Sequence, residues 1–369
     1  MMQYKDFRGE VSLSRLGMGT MRLPREGNQP GAPIDFAKSE TIIDKAMASG
    51  INYYDTAYVY SGSEEVLGRA LAKYPRDSYY LADKFNILAE PDYKAQFTEE
   101  LRRLGTDRID FYLLHELRDN FLDQILTREC LGYFEELKRK GTIRYLGFSY
   151  HGSPEQFPRV LAAYDWDFVQ IQLNYFDWLF GDARALYEAL EQTDIPVMVM
   201  EPVRGGRLAE MPPALEKRLK DVEPDRSIAS WAMRWLMDKE KLAVVLSGMN
   251  TLEQMEDNLA VFSEYSPLTA EEKALVEEVC AEYRPLISVA CTGCRYCCEE
   301  CPKQINIPRV LNIYNDIKLD RAWRIDFLKM LDEGRRPEDC LGCGLCKKHC
   351  PQGIDVPAYM KELVELEKQ

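Results

Sequence analysis

Phe111-Tyr-Leu-Leu114 and Val197-Met-Val-Met200 are unbroken apolar runs. A strand with one wet face alternates apolar and polar residues, whereas a strand covered on both faces does not. Runs of this kind therefore mark parallel strands buried under helices. Outward from them, the first 262 residues repeat one pattern: a short run rich in β-branched and aromatic residues, then a longer amphipathic run. The strand-like runs are 15–21, 52–56, 79–85, 108–115, 143–149, 168–174, 196–202 and 241–249. The helix-like runs that follow them are 39–49, 64–73, 93–104, 122–139, 154–164, 182–192, 228–238 and 252–262. Eight strand–helix pairs in roughly 250 residues predict an α/β fold of the (β/α)8 TIM-barrel type. An open doubly wound sheet also alternates strand and helix, but eight units would make it unusually long.

Local punctuation agrees. Gly50, Gly105 and Gly141 each follow a helical run, where a left-handed residue ends a helix. Ser153-Pro154 reads as a cap followed by a first-turn proline. Beyond residue 262 the pattern changes. Residues 269–283 form an acidic amphipathic run that reads as a connecting helix, and no strand-like run follows Cys291. Two helices are expected at 307–317 and 321–333. The expected organisation is a barrel over 1–265, a connector over 266–284 and a small, mainly helical domain over 285–369.

The chain has 369 residues, 46% of them apolar, and a formal net charge of −14. Such acidity predicts no nucleic-acid partner and no anionic-membrane partner, since both would repel it. No run of eighteen apolar residues is present, and the opening MMQYKDFRGE lacks the apolar core of a signal peptide. The expected location is cytoplasmic. A reducing compartment turns attention from disulfides to metal binding for the eleven cysteines, nine of which lie between Cys291 and Cys350.

Those nine carry one motif twice. Cys291, Cys294, Cys297 and Cys301-Pro302 read C-x2-C-x2-C-x3-C-P, and Cys340, Cys343, Cys346 and Cys350-Pro351 repeat it. Three thiolates at two-residue gaps can aim at one cubane from a tight loop, and the spacing predicts two [4Fe–4S] clusters. In two-cluster ferredoxins the fourth cysteine serves the other cluster. By that analogy one cluster takes Cys291, Cys294, Cys297 and Cys350, and the other takes Cys340, Cys343, Cys346 and Cys301. Zinc sites more often use two separated cysteine pairs. Cys298 is an extra thiol that could exchange with Cys297, and His349 reads as a surface neighbour of Cys350.

In a barrel of this type the chemistry sits at the C-terminal strand ends. There the sequence places Asp55 with Tyr60 shortly after it, then Lys84, His115, Ser149, Gln170 and Asn174, Glu201, and Ser247-Gly248. Tyr60, Lys84, Asp55 and His115 make a chemical set. A phenol titrates near pH 10, too high to exchange protons readily at neutral pH. A neighbouring ammonium stabilises the phenolate, a carboxylate holds that ammonium, and a histidine can orient a substrate oxygen. Singly, each residue reads as a loop cap, an ordinary tyrosine, a surface lysine or a core histidine. Their joint placement on consecutive strand ends lifts them above that.

RLGMGTMRLP (15–24), NYYDTAYVYSGSEEVLG (52–68), LADKF (81–85), RIDFYLLHEL (108–117), IRYLGFSYHG (143–152), FVQIQLNY (168–175) and LSGMNTLEQMEDNL (246–259) resemble the aldo/keto reductase family, across about 1–265. The ending resembles the subgroup that appends a ferredoxin-type domain, which implies a cytosolic microbial oxidoreductase. The resemblance implies reduction of a small-molecule carbonyl to an alcohol by NAD(P)H. In it Tyr60 is the general acid, Lys84 with Asp55 tunes it, and His115 positions the substrate. Ser149 and Gln170 would hold the nicotinamide carboxamide, and Gly19, Thr20 and Met21 would border its ribose. Glu201, Pro202, Arg204, Gly205 and Gly206 would line the pyrophosphate, and Gly248 and Asn258 would flank the adenosine.

Three departures stand out. Ser-Asn after the fifth barrel strand is here Ser149-Tyr150, followed by His151. The aromatic that often stacks on nicotinamide corresponds to Met200. The cations that receive a 2′-phosphate correspond to Gly248 and Gln254, which leans toward NAD(H) over NADP(H) unless Arg204 or Arg207 substitutes. Arg22, Tyr150, His151 and Arg204 hint at a polar, anionic or sugar-like substrate. A hydride carries two electrons and a cluster carries one, so direct coupling would need a flavin or similar group between them. Beside the carbonyl reductase stand two alternatives: a flavin-containing oxidoreductase linked to a ferredoxin partner, and a non-enzymatic redox or ligand sensor.

Overall fold

In the computed structural model, residues 1–27, 32–318 and 322–368 are described. Eight parallel strands close into a barrel. They are β3 (Leu16–Gly19), β4 (Tyr53–Asp55), β5 (Tyr80–Phe85), β6 (Ile109–Leu117), β7 (Ile143–Tyr150), β8 (Phe168–Gln172), β9 (Val197–Met200) and β10 (Leu242–Ser247), with β10 pairing back onto β3. Every residue of β6 is buried, as its unbroken apolar run requires.

A hairpin that the periodicity did not reveal precedes the barrel: β1 (Tyr4–Phe7) pairs antiparallel with β2 (Val11–Ser14). Its Phe7, Val11 and Leu13 join a core with Tyr53, Phe111, Tyr145, Phe168 and Met198. Phe7 meets Phe111 and Tyr145 edge-on at 5.3 and 4.9 Å. These residues lie in the N-terminal halves of their strands, so the hairpin stoppers the barrel end away from the functional mouth. Each such ring stabilises the fold by about 1.5–3 kcal/mol through burial.

Caps fix the outer helices. Asp35, Asp92, Thr127, Ser227 and Thr251 accept backbone N–H groups at the starts of Phe36–Ala48, Tyr93–Leu104, Arg128–Arg139, Ile228–Leu236 and Leu252–Phe262. The expected single helix over 122–139 is two: Leu122–Ile125 ends, and Thr127 starts a new helix by accepting from Cys130 N. Ser153-Pro154 does not open a helix. Ser153 N–H donates to Asp119 and its carbonyl accepts from Tyr150, so the helix starts later, at Phe157–Leu161. Helix Ser63–Leu71 packs so closely on Tyr93–Leu104 that a Cβ at Gly68 would lie 2.3 Å from the Leu104 carbonyl oxygen.

Two compact units result. One comprises Met1–Glu26, Pro33–Val203 and Arg226–Lys273; the other includes Arg204–Asp225 and the chain from Ala274 onward. The second unit is helical among its described residues, with Pro213–Val222, Ile307–Lys318 and Val356–Leu366 as its longer helices beside the end of Ala270–Tyr283. The first and third of these were not expected. At 321–333 a 3-10 helix, Ala322–Leu328, replaces the expected α-helix, and residue 321 lies outside the described residues. Arg207 Nε donates to the Cys291 carbonyl at 2.6 Å, and Arg218 pairs with Glu278 at 2.5 Å, which ties 204–225 into this unit. Among the described residues no helix is long and apolar enough to cross a membrane.

Candidate functional site

Successive strand residues face opposite sides, so β5 sends Lys84 inward and Asp83 outward. Lys84 Nζ lies 2.6 Å from Asp55 Oδ1 and 2.5 Å from the Thr56 carbonyl oxygen, and its side chain has no solvent exposure. It also lies 5.1 Å from the centroid of the Tyr60 ring. Burial pulls the ammonium pKa down, but Asp55 and Tyr60 outweigh it and the net shift is upward. Burial raises the Asp55 carboxyl against the opposing pull of Lys84. The lysine's two good acceptors favour the ionic pair over the neutral one. Asp55 Oδ2 is buried without a hydrogen-bond partner. Tyr60 is 9% exposed against 0% for Lys84, so the phenol is the member of the set nearest solvent.

His115 meets the Tyr60 ring edge-on at 6.0 Å between centroids. Burial holds its pKa well below the usual imidazole value, helped by the charges of Lys84 and Arg118. Burial likewise lowers His151, to about 3, with Arg118 contributing. Both rings are neutral at physiological pH. The β6–β7 register shifts between Leu114 and Leu117, and Glu116 adopts a left-handed φ of 59°. This irregularity re-aims the strand end beside His115. Glu116 pairs with Arg118.

The structure thus brings Asp55, Tyr60, Lys84 and His115 together at one barrel mouth. Of the residues expected to touch a nucleotide, those from Gly19 to Pro202, with Gly248 and Asn258, belong to the same unit as the barrel. Gly19 ends β3 and Thr20 and Met21 follow it, and Thr20 Oγ1 donates to the Asp55 carbonyl at 2.8 Å. Ser149 Oγ accepts the Glu116 N–H at 2.7 Å, leaving its own hydroxyl proton to donate. Gln170 gives Nε2 to Met200 Sδ at 3.6 Å while its Oε1 is buried without a hydrogen-bond partner. Glu201, with φ 55°, pairs with Arg22 at 3.1 Å, and Pro202 follows it. Gly248 lies against the Arg22 stem, and Asn258 Nδ2 is engaged by Ser247 Oγ at 2.9 Å. Arg204, Gly205 and Gly206 form a tight turn that belongs to the second unit.

Sequence reasoning missed two groups. Asn86, just past β5, reaches His115 Nδ1 at 3.4 Å. Asp83 forms a buried carboxyl cluster with Glu64 and Glu100, in which Arg103 pairs with Glu64 at 2.8 Å and the Tyr112 hydroxyl donates to Glu100 at 2.7 Å. Burial raises all three carboxyls, Asp83 and Glu100 strongly; the Glu64 charge adds to both of these, and the Glu100 charge adds to Asp83. One signal was readable: Gln96 and Glu100 fall one turn apart on the face of helix 93–104 that also carries Phe97 and Leu104.

In the second unit the cysteines line two cavities. One is bounded by Cys291, Cys294, Cys297 and Cys350, together with Ile307, Leu311 and Val356. The other is bounded by Cys301, Cys340, Cys343 and Cys346, with Ile305, Val356 and Met360. Cys298 is buried but lines neither. The two loops match: Gly293 and Arg295 in one, Gly342 and Gly344 in the other, have positive φ, and a short helix follows each, Tyr296–Glu299 and Leu345–Lys348. Gly293 N–H points at Cys291 Sγ at 3.4 Å, the contact a thiolate ligand receives.

A closed parallel barrel with a buried lysine–aspartate pair beside a tyrosine and a histidine defines an oxidoreductase enzyme. The chain belongs to the aldo/keto reductase family, whose profile matches residues 15–281, and a 4Fe-4S dicluster domain matches residues 290–354. It is 27% identical to the uncharacterized oxidoreductase YqkF of Bacillus subtilis over 291 residues, 68% of this chain and 87% of the relative. It is 28% identical to L-galactose dehydrogenase of Arabidopsis thaliana over 294 residues, 72% and 90% of the two chains. The solved aldo-keto reductase AKR11C1 from Bacillus halodurans, in its holo form, superposes with a TM-score of 0.61 at 28% identity, covering 76% of this chain and 96% of that one.

Proposed function

We propose that this enzyme reduces an aldehyde or ketone to the alcohol with NADH or NADPH, Tyr60 serving as general acid. The observation that carries this reading is Lys84, bonded to Asp55 and lying beside the Tyr60 ring. When bound, the nicotinamide supplies the hydride to the carbonyl carbon. Tyr60 gives its hydroxyl proton to the carbonyl oxygen and recovers one from solvent. Lys84 stabilises the phenolate left behind, and Asp55 with the Thr56 carbonyl keeps that ammonium charged and fixed. Neutral His115 donates a hydrogen bond to the same oxygen.

Gly19, Thr20, Met21, Ser149, Gln170, Glu201, Pro202, Gly248 and Asn258 are proposed as the barrel's nucleotide contacts. NADH is favoured over NADPH. The positions suited to a 2′-phosphate are Gly248 and Gln254, neither of which carries a positive charge. Arg207 is committed to the Cys291 carbonyl. A sugar-like substrate fits the polar residues Arg22 and His151, and the L-galactose dehydrogenase of Arabidopsis points the same way, whereas Tyr150 packs on Phe157 and spends its hydroxyl on the Ser153 carbonyl.

The dicluster domain is proposed to hold two [4Fe–4S] clusters, one on Cys291, Cys294, Cys297 and Cys350 and one on Cys340, Cys343, Cys346 and Cys301. The two four-thiol cavities support that crossed wiring. Each cavity carries four cysteines on its wall, the number that one cubane takes. The domain boundaries are proposed at 1–265 and 285–369, with the connector between them.

The dicluster domain also favours a second reading, in which a flavin in the barrel exchanges electrons with a ferredoxin through the clusters. Anaerobic purification separates the two. The first reading expects about eight iron and eight sulfide per chain, no flavin, and NADH oxidation with simple carbonyl compounds. Stoichiometric flavin without carbonyl turnover would replace it with the second.

A further inference from the structure

Asn86 is buried at the end of β5 and held on every side. Its backbone N–H donates to Gln96 Oε1 at 2.6 Å, and its carbonyl accepts from Gln96 Nε2 at 3.0 Å. Its side-chain Oδ1 accepts from Leu88 N and Ala89 N at 3.0 and 3.1 Å. Those two bonds fix which end of the amide is oxygen. The NH2 end is therefore the one that faces His115 Nδ1 at 3.4 Å. An amide NH2 group donates and does not accept, so Nδ1 must be the acceptor. In a neutral imidazole the single proton then sits on Nε2.

We propose that Asn86 is a positioning residue that sets the tautomer of His115, so that the ring presents Nε2–H, a donor, to the substrate oxygen. Its relevance to turnover rests on the reading of His115 as the group that orients the carbonyl. The titratable and charged groups around the ring are Lys84, Tyr60, His151 and Arg118, with Glu116 bonded to Asn86. Lys84 and Arg118 oppose protonation of the ring, and Asn86 decides which nitrogen keeps the proton. The same job is done in other enzymes by a carboxylate or carbonyl at the far nitrogen, which selects the opposite tautomer.

Asn86→Asp tests this. A carboxylate keeps an acceptor for Leu88 N and Ala89 N, so the turn survives, but it replaces the donor with an acceptor. The chain has three histidines, His115, His151 and His349, so imidazole nitrogen shifts of 15N-histidine-labelled protein can be assigned with His151→Gln and His349→Gln. The wild type is expected to show Nε2–H on His115. Asn86→Asp should show Nδ1–H or an imidazolium, a new ionisation in the pH–rate profile, and kcat/KM for carbonyl reduction lower by about 100-fold. Nδ1–H in the wild type would overturn the proposal, even if the variant failed to fold. An unchanged tautomer with unchanged kcat/KM in the variant would also overturn it. Nε2–H in a wild type that turns over no carbonyl compound would leave the tautomer assignment standing and remove the functional reading instead.

Discussion

Lys84 Nζ sits 2.6 Å from Asp55 Oδ1 with no part of the lysine side chain exposed to solvent. A buried charge of one sign is tolerated because the other is in contact with it, and removing either partner strands the survivor. Asp55→Asn should therefore cost about 3–5 kcal/mol of stability in urea unfolding and at least about 100-fold in kcat. Without the carboxylate, the upward shift of Lys84 is lost. The alkaline limb of the pH–rate profile should move to lower pH. A variant with wild-type stability and an unmoved limb would show that the pair is not coupled to the chemistry.

The Asp83–Glu64–Glu100 cluster makes a pH prediction. Burial raises all three carboxyls, and neighbouring charge adds to it, from Glu64 at Asp83 and Glu100 and from Glu65 at Glu64. A raised folded-state pKa means that the folded chain holds protons the unfolded chain releases. Stability from this source is complete below the ordinary carboxylate range near pH 4 and is lost as pH rises through the raised values. Asp83→Asn mimics the protonated acid, and its oxygen can still accept the Lys84 N–H that Asp83 Oδ1 accepts at 2.8 Å. Its melting temperature should exceed that of the wild type at pH 8 and approach it below about pH 4. Equal gains at both pH values would rule out titration of the cluster.

The two cavities predict which thiols matter. Cys350→Ser and Cys297→Ser should lower iron content and visible absorbance in anaerobically prepared protein, because both side chains line one cavity. Cys298→Ser should leave both unchanged, since Cys298 lines neither. If Cys298→Ser lost as much iron as Cys297→Ser, the assignment of these adjacent thiols would have to be exchanged.

Gly68 is a packing test remote from the mouth. A Cβ there would stand 2.3 Å from a backbone oxygen, which cannot swing aside as a side chain can. Gly68→Ala should destabilise the barrel by about 1–3 kcal/mol, although alanine is the better helix former. A stability gain would show that the two helices can separate freely.

All eight barrel strands were legible because parallel buried strands announce themselves as apolar runs, and each observed strand lies within or beside its expected range. The hairpin was not, since Tyr4–Phe7 (YKDF) and Val11–Ser14 (VSLS) mix polar with apolar residues and make no unbroken apolar run. The two missed helices of the second unit lie where proline-rich or cysteine-rich surroundings drew the reading elsewhere. Asp55, Lys84 and His115 were legible from strand ends alone, with Tyr60 five residues past Asp55, because the barrel converts order along the chain into neighbours around a ring. Asn86 was not. It lies one residue past Phe85 and matters only through an amide orientation fixed by Leu88 and Ala89, a relation without any residue-type signature.

The proposed carbonyl reduction in this barrel depends on the proton of the Tyr60 hydroxyl. Tyr60→Phe removes one oxygen from a phenol that is 9% exposed and leaves the ring that packs against His115 and Lys84. The direct measurement is kcat for NADH-dependent reduction of a carbonyl compound by wild type and Tyr60→Phe, with NADH affinity determined in parallel. The account predicts a fall in kcat of at least about 100-fold with NADH affinity and cluster content unchanged. Undiminished kcat in the variant would contradict it.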